Sequence, residues 1–356
     1  MKKLFFIAAI AGAALVSCTK NEVAQVSFEK EITFAAPVVG VQTKALHYGE
    51  IGVNYNVNEH FGVYAVHYNG ELPKWADGTL YMGEAGVGLE CFKETSENYW
   101  APALPYYWPK EGTLSFAAYS PYDVTGTVSY GAAGLSVVGH TVSTSTAEHV
   151  DFMYAPRVYN YEESTMNKTS KEEEAGDDDA VYKYDGVNIL FKHAMSSIVI
   201  NVARSSAIEE HTVITLNSLT IQNPYMTADF VENVTDGPSY NAAPYWVNRT
   251  NAKNVVTYNN PVDITTTLTE YVNNTDDDVI LIPQELTSYV KLELNYDITT
   301  PGGHTINQVS YIDLKDFTPS WEMGKKYTYN ITIGMEEIIF DPAVTDWAPE
   351  SDDITL

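Results

Sequence analysis

Hydrophobic and polar positions alternate with a period of two over much of this chain. Val290, Leu292, Leu294 and Tyr296 point one way, opposed by Lys291, Glu293 and Asn295. Tyr327, Tyr329, Ile331 and Ile333 repeat the pattern. Successive side chains of a strand project to opposite faces, so each set predicts a strand buried on one side. Shorter runs predict strands over 61–67, 114–119, 135–138 and 150–154. After a break the signal returns at 187–191, 197–203, 213–222, 279–282, 289–298, 305–314 and 327–334. Turn signals such as Asn69-Gly70 and Asp77-Gly78 lie between them, at the spacing of an antiparallel sandwich.

Both ends of this array carry an extended segment. Near the start, Ile32, Phe34 and Ala36 share a face, with Thr33 and Ala35 opposite. The run then meets Pro37 and Gly40 and ends on Lys44, before Ala45. Near the end, Ile338, Phe340, Pro342 and Val344 recur at spacing two, followed by Trp347. Nothing in the sequence supplies this last segment with a partner.

Residues 1–17 predict a leader and stand apart from the fold. Lys2 and Lys3 precede an apolar run over 4–16, whose 13 residues fall short of the ~20 a spanning helix needs. Leu15-Val16-Ser17-Cys18 then reads as a lipobox, with Cys18 as the acyl acceptor. More than one acyl chain on Cys18 would anchor the protein without a membrane-spanning segment. Acylation of Cys18 would leave the second of the two cysteines, Cys91, without a disulfide partner, so stability falls to core burial.

Composition sharpens the picture. Loss of Lys2 and Lys3 with the leader leaves 18 basic residues against 47 acidic, a net charge near −29. That excludes nucleic acid, whose phosphates need a basic face. Twenty-six tyrosines and little helix-periodic patterning predict an all-β protein. Residues 161–185 break the pattern with Glu172-Glu173-Glu174 and Asp177-Asp178-Asp179. Packed like charges repel, so this is a solvated loop, and it lacks the spacing of a calcium loop. It divides the chain into a tether and first strand at 18–44, an N-terminal domain at 45–186 and a C-terminal domain at 187–356.

Catalytic chemistry is thin. Eight histidines are scattered without metal-ligand spacing. Ser17-x-x-Lys20 straddles the leader boundary, and Ser288-x-x-Lys291 lies on a strand without companion motifs. Gly131–Gly134 is a turn that opens no helix, so it is no phosphate cradle. No enzyme, cofactor or metal is expected, and His193 reads as a satisfied sandwich histidine. Tyr99-Trp100, Tyr106-Tyr107-Trp108 and Tyr245-Trp246 are core aromatics or, in the alternative, platforms for a glycan ligand.

A series of short segments, in order along nearly the whole chain, resembles the fimbrillins, the Mfa-like and FimA-like pilins of type V pili. The series starts with the lipobox at Cys18, Ile32-Thr33-Phe34 and Thr43-Lys44-Ala45. Phe61-Gly62-Val63-Tyr64, Tyr107-Trp108-Pro109 and Leu114-Ser115-Phe116-Ala117-Ala118-Tyr119 follow. Asp151-Phe152-Met153-Tyr154, Phe191-Lys192-His193-Ala194, Ile282-Pro283-Gln284, Trp321-Glu322-Met323-Gly324 and Asp346-Trp347 complete it.

The resemblance implies two transthyretin-like antiparallel β-sandwich domains behind a lipoprotein signal peptide. It implies export to the outer membrane, surface exposure in a fimbrium, adhesion, and other pilin subunits as partners. An Arg/Lys-specific protease would cut between Lys44 and Ala45 and remove the strand bearing Ile32, Phe34 and Val38. A neighbour's extended segment, with Ile338, Phe340 and Val344 as candidate donor residues, would refill the groove by strand addition. Three such apolar positions are worth roughly 5–9 kcal/mol when buried. The alternative is a surface lipoprotein that does not polymerise, either a pilus anchor or a glycan-binding module.

Overall fold

A computed structural model describes residues 31–34, 38–39, 60–69, 78–93, 100–161, 186–187, 189–235, 241–272, 279–335 and 338–347. The protein is all-β, as its alternation predicts. Among the described residues the helical elements are two single turns, Thr146–Glu148 and Leu314–Asp316. The clearest period-two runs form strands at Val213–Gln222, Lys291–Thr299 and Lys325–Ile333, each with its apolar set inward. The acidic run over 162–185 lies outside the described residues.

The largest sheet has eight strands. Val38–Val39 is followed in space by Leu190–His193, Met153–Tyr161, Thr113–Ser120, Phe61–Tyr68, Leu89–Lys93 and Trp100–Pro102, while Thr79–Met82 also pairs with Phe61–Tyr68. Its central strands are buried on both faces. Phe61, Val63 and Ala65 enter one core with Leu114, Phe116 and Ala118. Tyr64 and Val66 turn the other way, with Ala117 and Tyr119, into a second core that runs on to Ile333. Gly62 is required here by close approach: a Cβ at this position would lie 2.2 Å from the Tyr119 ring.

Three further sheets surround the second core. Ser196–Arg204 runs parallel to Lys325–Ile333 through nine register pairs, and Ile338–Asp346 adds antiparallel to the latter as an edge. Val255–Tyr258, Val213–Gln222, Lys291–Thr299 and Thr305–Asp313 form another sheet. The third of these sheets joins Thr127–Gly131 and Gly134–Thr141 to Tyr225–Val231 and Tyr245–Ala252.

Two observations bear on the sequence expectations. A division at 186/187 follows the break in composition, yet Leu190–His193 hydrogen-bonds into the first sheet, and the sheet containing Gly134–Thr141 spans both halves. The final segment does have a partner. Ile338–Asp346 folds back beyond Gly334 and pairs with Lys325–Ile333 from Ile333↔Ile338 to Lys325↔Asp346.

Candidate functional site

The site is the place of the first strand. Ile32 donates its N–H to the Tyr106 carbonyl at 2.7 Å, and Phe34 exchanges both backbone bonds with Trp100 at 2.8 and 2.9 Å. On the other side the Thr33 carbonyl accepts the Val187 N–H at 2.9 Å. A few residues on, Val38–Val39 runs parallel to Leu190–Phe191. Trp100 lies at one end of the large sheet and Leu190–His193 near the other, so the first strand closes the sheet into a ring.

Burial follows from that position. Ile32 and Phe34 are both 0 % exposed. The Phe34 ring meets Phe61 and Phe116 edge-on, at 5.9 and 5.8 Å between centroids. Phe116 is backed by Trp108, and Phe61 by Phe191. Edge-to-face pairs of this kind add to area burial. Withdrawing Ile32 and Phe34 from such a site costs about 3–6 kcal/mol in burial alone. It would also strip hydrogen bonds from four backbone groups: the Tyr106 and Trp100 carbonyls and the Trp100 and Val187 N–H.

The other predicted site residues are placed as follows. Cys18, Lys44 and Ala45 lie outside the described residues. Val38 is placed by its backbone, opposite Leu190. Ile338 and Phe340 lie in the C-terminal edge strand, opposite Ile333 and Ile331, and Val344 lies opposite Tyr327 and is 51 % exposed. The two terminal strands sit in different sheets. They share one sequence signal that a residue-by-residue reading passes over. Ile32, Phe34 and Val38 have the spacing Ile-x-Phe-x-x-x-Val, and Ile338, Phe340 and Val344 repeat it.

Candidate chemistry elsewhere is accounted for by packing. Trp100, Trp108 and Trp246 are buried, and the Trp246 indole N–H donates to the Ala194 carbonyl at 2.7 Å. Of the aromatics read as platforms, Tyr107 and Tyr245 face solvent. Cys91 is fully buried, and burial pushes its thiol well up, which leaves it poorly reactive. Burial holds the His140 imidazole down to about 4, against the opposing pull of its bond to the Thr125 carbonyl. His149 is also lowered by burial; its Nδ1 accepts the Ile280 N–H and its Nε2 donates to Ser143. His193 bonds the Asp151 carboxylate at 2.6 Å. Lys291 pairs with Asp313, and Gly131–Gly134 is the turn of a hairpin. Among the described residues no group of three acidic, His or Cys side chains could hold a metal, and no helix is long and apolar enough to cross a membrane.

Comparison with known proteins places this architecture. The profile of the fimbrillin-like family matches residues 43–347. No curated protein matches the chain at a significant level. A fimbrial protein from Bacteroides vulgatus ATCC 8482 has a similar structure: TM-score 0.58, 18 % identity, over 89 % of this chain and 99 % of that one. A Bacteroides uniformis ATCC 8492 protein, described provisionally as a cell adhesion protein, gives TM-score 0.49 and 17 % identity over 90 % of this chain and 99 % of its own. The tip fimbrial protein Mfa3 from Porphyromonas gingivalis, with C-terminal truncation, gives TM-score 0.37 and 9 % identity over 89 % and 100 %. Of these three, the first exceeds a TM-score of 0.5, and at its identity it shows the fold alone.

Proposed function

Because the chain belongs to the fimbrillin-like family, we propose that it is a structural, non-enzymatic subunit of a surface fimbria, carried to the outer membrane as a lipoprotein on Cys18 and supporting adhesion. An Arg/Lys-specific protease cuts between Lys44 and Ala45 and releases the first strand. The groove it leaves takes the C-terminal strand of a neighbouring subunit, and repetition of that exchange builds the fibre.

The observation that carries this reading is the match between the two terminal strands. Ile32 and Phe34 fill a closed, aromatic-lined slot whose backbone groups on both sides need a strand. Ile338, Phe340 and Val344 offer the same spacing as Ile32, Phe34 and Val38. A donor laid in with the same direction and register puts Phe340 where Phe34 was, and its backbone replaces the lost bonds. Main-chain bonds supply the affinity and the two or three apolar side chains supply the register.

The test is the SDS-resistant ladder of a polymerising surface protein, read in cells that express single variants. Lys44→Ala leaves the first strand seated and abolishes the ladder while the monomer stays folded. Phe340→Asp permits cleavage and still abolishes it, since an unpaired carboxylate in an apolar slot costs several kcal/mol. Ladders that persist in both variants overturn the donor-strand reading and leave the surface lipoprotein that does not polymerise.

A further inference from the structure

One short strand touches both terminal strands. At its start, Leu190 and Phe191 take their parallel ladder with Val38 and Val39. At its end, Lys192 and His193 pair with Tyr154 and Met153. The His193 ring lies flat on the Trp347 indole, 3.9 Å between centroids and 8° from parallel. Asp151 holds that ring by the 2.6 Å bond to Nδ1. Trp347 directly follows the Ile338–Asp346 strand, and its N–H donates to the Gly324 carbonyl at 2.9 Å. Beside it Lys325 and Asp346 form an ion pair. Gly324 in turn donates to the Met195 carbonyl, two residues beyond His193, and its positive φ of +64° suits glycine.

The C-terminal strand otherwise holds as an edge. Among the described residues it has one ladder neighbour, Lys325–Ile333, and Ala343–Asp346 is exposed. An edge strand of this kind opens locally at low cost unless its end is tied. The His193–Trp347 stack ties this end to another sheet, while the Gly324 bond and the Lys325–Asp346 pair tie it within its own, and the ring that makes the stack stands on the strand that the first strand flanks.

We propose that Leu190–His193 is a mechanical link between the two ends of the chain: departure of the first strand loosens this short strand, the His193–Trp347 clasp opens, and the C-terminal strand is freed. One cleavage would then open the acceptor groove of a subunit and arm its donor strand together, and an uncut subunit would keep its donor docked. This rests on the donor-strand reading for its purpose but not for its test, because the coupling can hold in a chain that never forms a fibre.

Amide hydrogen exchange on the full, uncut chain tests it. Coupling is reciprocal, so loosening either end must loosen the other. Trp347→Ala removes the clasp at a half-buried position on the margin of the second core. Exchange should then rise about tenfold both in Ile338–Asp346 and in the first strand around Ile32–Phe34 and Val38–Val39. The Lys291–Thr299/Thr305–Asp313 hairpin, in another sheet, should keep its rate. In the opposite direction, Val38→Pro with Val39→Pro disrupts the parallel ladder beside Leu190–Phe191 and should raise exchange in Ile338–Asp346 by a similar factor. If the double-proline chain opens globally, the hairpin accelerates as well, and Trp347→Ala then decides alone. A first strand that exchanges at the wild-type rate in Trp347→Ala overturns the proposal, even where Ile338–Asp346 itself is loosened.

Discussion

The two terminal strands share a spacing and differ in everything else. The first is wedged between two neighbours, antiparallel to Trp100 and parallel to the stretch from Val187 to Phe191, with Ile32 and Phe34 fully buried. Among the described residues the last has a single ladder neighbour, and Val344 stays half exposed although it stands opposite the buried Tyr327. Similar apolar residues therefore contribute very different amounts according to how many sides are covered. The first strand is hard to lose without a cut in the chain. The last is held, among the described residues, by one ladder, the His193–Trp347 stack, the Trp347 N–H bond to the Gly324 carbonyl and the Lys325–Asp346 pair.

That contrast can be broken most directly at Phe34. Phe34→Ala removes a fully buried ring from between Phe61 and Phe116 and should cost about 3–5 kcal/mol of unfolding free energy. Urea denaturation of the uncut chain measures it. A loss below about 1 kcal/mol would mean that the slot collapses freely and that the first strand holds no more tightly than the last.

Acid acts between the two strands and sharpens the contrast. Neither terminal strand contains a histidine, whereas His140 and His149 sit in the second core. Both are held low by burial, so the unfolded chain, near 6.5, binds a proton before the folded one does. Their contribution is complete above about pH 6.5 and is lost as pH falls toward the His140 value of about 4, close to 3 kcal/mol for that residue. Denaturation midpoints at about pH 7 and pH 5 should fall accordingly, with both terminal strands exchanging faster together. His140→Gln should flatten the fall. An unchanged midpoint, or loss confined to one strand, contradicts it.

Val344→Ala should have the smallest effect, below about 1 kcal/mol, since half of that side chain is already in water. Its value lies in the comparison with Phe34→Ala under identical conditions. If Val344→Ala costs as much, the C-terminal strand is buried in solution by something the monomer lacks.

Much of the fold is legible along the chain where one face of a strand is wet. Val213–Gln222, Lys291–Thr299 and Lys325–Ile333 alternate cleanly because their outer faces meet solvent or polar neighbours. The signal fails where both faces are covered. Phe61–Tyr68 and Thr113–Ser120 read as apolar runs with no preferred side, and each feeds two cores. Short strands such as Trp100–Pro102 offer too few residues for a period at all, although Trp100 is one wall of the candidate site.

The sequence by itself determined that the protein is all-β, that Ile32 and Phe34 lie on one face of a first strand, and that Ile338, Phe340 and Val344 form an apolar set on a last one. Those are properties of side chains, and side chains are what a sequence records. Which strand lies beside which was decided by the tertiary structure alone. The bonds that close the ring at Trp100, Tyr106 and Val187 are backbone bonds, available to nearly any residue and so left without a mark in the sequence. The same reasoning holds for Leu190–His193, whose four residues read as the start of a second domain. Only folding set Val38–Val39 along its first half and Trp347 over its last ring, and made one short strand the neighbour of both ends of the chain.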